Sequence, residues 1–106
     1  MNVAEIFSSM EGRFQGEKAA GVKMGILFDL SGDDGGQWYV HIDDGKLAVS
    51  QSAPAAAPSA TVKMTADDFT DMSSGKLNPM MAFMTGKVKV DGDLNSVMKF
   101  QSLVGF

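Results

Sequence analysis

The sequence contains no cysteine. Disulfides and thiolate metal sites are therefore excluded, and the cytoplasm is the expected compartment. Long apolar runs are also missing. The longest, Met80 to Met84, is far below the ~18 residues that a membrane-spanning helix needs. The opening Met-Asn-Val-Ala-Glu-Ile-Phe lacks the basic region and apolar stretch of a signal peptide. The closing Leu103-Val104-Gly105-Phe106 carries no Ser-Lys-Leu-type address. Basic residues are few and scattered in a chain of net charge −4, so a nucleic-acid partner is not expected, because phosphate neutralisation dominates that affinity. The same charge disfavours steering to an anionic membrane, while transient contact through a local patch stays open.

Catalytic groupings are equally sparse. His41 is the sole histidine, and a general base needs a partner and a pocket. The serines form no Gly-x-Ser-x-Gly elbow. Asp33-Asp34, Asp43-Asp44 and Asp67-Asp68-x-x-Asp71 lack calcium-loop spacing and read as turn and helix-start residues. The segment Gly32–Gly36 precedes no Lys-Ser/Thr, so it does not read as a phosphate cradle. No enzyme activity, metal or cofactor is expected.

What is present suits one globular domain spanning 1–106: 44% hydrophobic and 21% charged residues, with nine methionines. Methionine is flexible and polarizable, so it either fills core gaps or lines a surface that accepts varied shapes. Composition leaves both readings open.

Asn2 and Glu5 form a capping-box pattern. Ile6, Phe7, Met10 and Phe14 follow at helical spacing, predicting a helix that ends near Gly12 or Gly16. Glu17 to Ala20 adds a short helical turn. From Lys23 the period becomes two, with Met24, Ile26, Phe28 and Leu30 on one face and Leu27 as an exception. A second strand places Trp38, Val40 and Ile42 inward and His41 outward. Asp44-Gly45 is a hairpin signal, and a third strand carries Leu47 and Val49. Residues 52–59, with two prolines, read as an extended connection.

Ala60, Val62 and Met64 mark strand four, and Thr65 caps a helix bearing Phe69 and Met72. Pro79 opens a short helix in which Met80, Phe83 and Met84 share a face. Strand five is expected over 87–91 with Val88 and Val90 inward. Asp93 caps a last helix with Leu94, Val97, Met98 and Gln101 on one stripe and Phe100, Leu103 and Val104 beside it. The fold class is α+β: a five-stranded, mainly antiparallel sheet in mostly hairpin order, covered on one face by helices.

The strings Thr61-Val62-Lys63-Met64-Thr65, Asp67-Asp68-Phe69, Gly75-Lys76-Leu77-Asn78-Pro79, Ala82-Phe83-Met84, Gly86-Lys87-Val88-Lys89-Val90 and Gly92-Asp93, with Phe28 to Gly32 and Trp38 to Gly45 before them, resemble the sterol carrier protein 2 (SCP-2) family. They follow the family's order, and the likeness is to its stand-alone bacterial-type members. Many eukaryotic members carry Gln where this sequence has Met80 and Thr85.

The resemblance implies an apolar tunnel between sheet and helices. It also implies non-catalytic binding of a fatty acid, fatty acyl-CoA or sterol-like lipid. Under that reading Phe7, Met10, Phe14, Met24, Met64, Phe69, Met72, Met80, Phe83, Met84, Met98 and Phe100 are the cavity candidates. The alternative is an interaction module whose Met/Phe-rich face docks a second copy or a larger complex.

Overall fold

The computed structural model describes residues 2–51 and 57–104. The connection expected over 52–59 falls, at 52–56, outside the described residues. The chain order is α1 (Val3–Arg13), a 3-10 turn (Gly16–Ala19), β1 (Lys23–Ser31), β2 (Gly36–Asp43), β3 (Lys46–Ser50), β4 (Ala60–Thr65), α2 (Ala66–Ser73), α3 (Pro79–Met84), β5 (Lys89–Gly92) and α4 (Leu94–Val104). The strands form one five-stranded sheet in the order β3-β2-β1-β4-β5. Three pairings are antiparallel, and β1 with β4 is parallel. Hairpin order thus holds for β1 to β3, while β4 crosses back to lie beside β1.

Local chemistry sets the boundaries. The capping box at α1 is complete, with the Asn2 side chain accepting from the Glu5 N–H at 2.8 Å and Glu5 accepting from the Asn2 N–H at 3.2 Å. The helix runs through Gly12 and ends at Arg13. Asp34, in the β1–β2 turn, accepts from the Val3 N–H at 3.0 Å and ties that turn to the helix start. Asp44 and Gly45 both take positive φ, 48° and 83°, the requirement of a tight hairpin between right-twisted strands.

Strand alternation sorts the two sheet faces. Ile26, Phe28, Leu30, Val40, Ile42, Val62 and Met64 are buried on the helix-covered face. His41, Asp43 and Lys63 are exposed on the other. Leu27, the exception to the alternation, is half-buried on that outer face beside its register partner Tyr39. A Cβ at Gly25 would collide with the Tyr39 ring, so this glycine lets the aromatic ring lie flat over β1.

At one end of the covered face the packing is dense and aromatic. Phe7, fully buried, has ring centroids of Trp38, Phe69 and Phe28 at 4.6, 4.9 and 5.4 Å. It joins α1, α2, β1 and β2 in one cluster, and such ring pairs add to the hydrophobic term. Strand five starts later than the spacing predicts. Val88 is buried but precedes β5, because its N–H bonds the Ala82 carbonyl of α3 and not a strand.

Phe7→Ala should lower stability by ~3–5 kcal/mol, as a large aromatic leaves a cavity among three rings. Urea denaturation measures this. A loss under ~1 kcal/mol would contradict the central place of this ring.

Candidate functional site

Away from the Phe7 cluster, the cover over β4 and β5 consists of α3 and the amino-terminal half of α4. Helix α3 has only six residues, too few to be stable through its own propagation. Its ends are held by local bonds. The Asn78 side chain accepts from the Met80 and Met81 N–H groups at 2.9 and 3.3 Å, with Pro79 at the first helical position. At the other end Gly86, at φ 80°, donates to the Phe83 carbonyl and Lys87 to the Ala82 carbonyl, a Schellman ending. The Val88 N–H shares the Ala82 carbonyl at 3.2 Å. Gly75 closes α2 in the same way, with Lys76 donating to the Asp71 carbonyl at 2.9 Å.

Ala82 is the buried residue of α3. Its methyl group brings the backbone close at one point and fills little beyond it. The result is a cleft of about 180 Å³ between α3, α4 and the β4–β5 edge of the sheet. Phe28, Val62 and Met64 supply its floor, and Val88 and Val90 supply its edge. Met72 and Pro79, Met80 and Phe83 supply one wall, and Leu94, Val97, Met98, Phe100 and Gln101 the other. Gln101 is the single hydrogen-bonding side chain in that lining.

The cavity candidates named from sequence divide into two sets. Met64, Met72, Met80, Phe83, Met98 and Phe100 border this cleft. Phe7, Met10 and Phe69 lie outside it, fully buried in the dense part of the core. Phe14 is half-buried at the end of α1. Met24 is buried on β1 and borders an open polar groove with Lys23, Asp93, Ser96 and Lys99. Met84 also lies outside the cleft and is 72% exposed. The helical spacing groups it with Met80 and Phe83, but the anchoring of α3 on Ala82 turns Met84 toward solvent.

Helix α4 divides its apolar arc by stripe. Phe100, Leu103 and Val104 are buried, whereas Leu94 and Met98 border the cleft at 40% and 53% exposure. Phe28, Val62, Val88, Val90, Leu94, Val97 and Gln101 were not among the candidates. Their inward strand positions and the α4 stripe are the sequence signals that point to them.

Catalytic groupings do not converge here. His41 is exposed on the outer sheet face, 6.1 Å from the Tyr39 ring centroid. Among the described residues no polar or charged residue is buried and no acidic or histidine cluster could hold a metal ion.

Sequence comparison places the chain in a family, and structure comparison finds its fold in other proteins. A family model described as the SCP-2 sterol transfer family matches residues 8–105. Curated relatives include the human hydroxysteroid dehydrogenase-like protein 2, 41% identical over 78 residues that make up 74% of this chain and 19% of that protein. Its Xenopus tropicalis counterpart is 34% identical over 102 residues, 95% of this chain and 24% of the relative. The chain thus spans about a quarter or less of those proteins. Among solved structures, palmitated SCP2L2 from Aedes aegypti superposes with a TM-score of 0.77 at 22% identity, over 100% of this chain and 96% of that one. A sec-alkylsulfatase, Pisa1 from Pseudomonas sp., matches with a TM-score of 0.81 at 24% identity, over 92% of this chain and 15% of its own.

Met84→Ala should change stability by less than ~0.5 kcal/mol, as expected for an exposed side chain. Ala82→Leu should cost ~1–3 kcal/mol by forcing α3 off its anchor. Parallel urea melts check both. A loss above ~2 kcal/mol for Met84→Ala would return that methionine to the core.

Proposed function

The chain belongs to the SCP-2 sterol transfer family, and we propose that it holds one long-chain lipid, a fatty acid or fatty acyl-CoA, in the α3–α4 cleft without catalysing a reaction. The observation that carries this reading is the lining. Apolar side chains surround the space, with one amide at Gln101. Binding sites for apolar ligands have this composition, mostly hydrophobic with few polar groups to fix orientation.

The size of the space favours a chain over a fused-ring molecule. Pockets for drug-sized ligands run ~300–1,000 Å³, and this cleft holds about 180 Å³. A flexible acyl chain can thread such a space and continue along the exposed Met80, Leu94 and Met98. A rigid sterol would have to part α3 from α4. The methionines suit a chain of variable path, since an unbranched thioether repacks at little cost. Thr85, at a position where many eukaryotic family members carry Gln, donates its hydroxyl to the Met81 carbonyl at 2.8 Å. The palmitated state of the Aedes aegypti relative supports an acyl chain as ligand.

A fluorescent fatty acid should bind at one site and be displaced by saturated fatty acids. Their affinity should rise about fourfold per added methylene, from ~0.8 kcal/mol per buried CH₂, until the cleft is filled and the rise stops. Competition titrations over a chain-length series measure this. Affinity that ignores chain length would overturn the enclosed-chain reading.

A further inference from the structure

We infer that the face built from α3 and the first turns of α4 docks onto a lipid bilayer bearing anionic headgroups. Two independent observations meet on that face. The first is apolar exposure. Among the described residues the large hydrophobic side chains that remain exposed are Met80, Met81, Phe83, Met84, Leu94 and Met98, at 40–72%. All six belong to α3 and α4. Met81 and Met84 are outside the lining of the cleft, so ligand contact does not explain their exposure. Patches of this kind mark an interaction site.

The second observation is charge. Residues 72–90 contain Lys76, Lys87 and Lys89 and no Asp or Glu; Asp71 and Asp91 bound this segment, and Asp93 precedes α4. Lys76 and Lys87 are exposed just before and just after α3, so a cation stands beside each end of the methionine-bearing helix. Lys89 is in register with Lys63 on the outer sheet face and adds to the local field without touching the patch.

Apolar side chains flanked by lysines fit a bilayer interface. The apolar groups enter the headgroup boundary while the cations meet anionic lipid. A second copy of this chain fits less well, because a face-to-face pair would bring each copy's Lys76 and Lys87 toward the other's. The inference goes beyond ligand binding and does not depend on what the cleft holds. It does give the cleft mouth, bordered by Met80 and Met98, a bilayer to face.

Flotation with vesicles of phosphatidylcholine alone, and of phosphatidylcholine mixed with phosphatidylglycerol, tests the proposal. The protein should float with the mixed vesicles, far less with the neutral ones, and be released as salt screens the attraction. Lys76→Gln with Lys87→Gln should weaken binding to mixed vesicles roughly thirtyfold. Met81→Asp with Met84→Asp should abolish it, with circular dichroism confirming that the exposed substitutions leave the fold intact. Lys18→Gln with Lys46→Gln, on the 3-10 turn and the far edge strand, should retain it. Equal binding to both vesicle types, unchanged binding by the first two variants, or equal loss in the third would overturn the proposal. So would a dimer that Met81→Asp with Met84→Asp dissociates while vesicles capture nothing, since the face would then belong to a second copy.

Discussion

Helix α3 rests on the interior through Ala82, and the cleft follows from that contact. A larger inward residue would lift the helix, and a second inward residue would fill the space beneath it. At the end of the helix, the turn at Gly86 folds the chain back so that the Ala82 carbonyl accepts from both Lys87 and Val88. The turn after α3 is thereby fixed, and so is the position at which β5 begins. The larger side chains of α3 are left to border the cleft or to face outward. Caps at Asn78 and Gly86 replace the side-chain burial that normally holds so short a helix.

The two ends of the covered sheet face therefore differ in kind. Around Phe7 the rings of Trp38, Phe28 and Phe69 fill the volume, and any change in size is felt. Over β4 and β5 the lining atoms lack partners on one side and forgo that part of their dispersion energy. A bound chain would restore those contacts, so occupancy and stability are linked. A ligand that binds the folded state alone stabilises it in proportion to the logarithm of its excess over Kd. Phe28 and Phe100, 5.5 Å apart between ring centroids, border the cleft while touching the dense cluster, so strain at one end has a route to the other.

Much of the architecture was legible because it is written in short-range chemistry. The Asn2–Glu5 capping box, the Asp44-Gly45 hairpin and the alternation of β1, β2 and β4 each rest on neighbours in sequence. The parallel pairing of β4 with β1 was not legible, since no local signal names a distant partner strand. The cleft was legible only in part. Periodicity assigns Met80, Phe83 and Met84 to one side of a helix but says nothing about how far that helix stands from the sheet. That distance is set by Ala82, a residue with no distinguishing chemistry. Methionine count was a poor guide for the same reason: Met10 and Met64 look alike in sequence, yet one is locked beneath α1 and the other floors the cleft.

The methionines that blurred the sequence reading offer the most direct test of the claim that the α3–α4 cleft is the ligand site. Methyl-labelled methionine NMR reports each thioether separately during titration with palmitate. Met64, Met72, Met80 and Met98, which border the cleft, should shift together and saturate at one equivalent. Met10 and Met24, packed elsewhere, should stay in place. Shifts confined to Met10 and Met24, or palmitate bound with the four cleft methyls unmoved, would contradict the account.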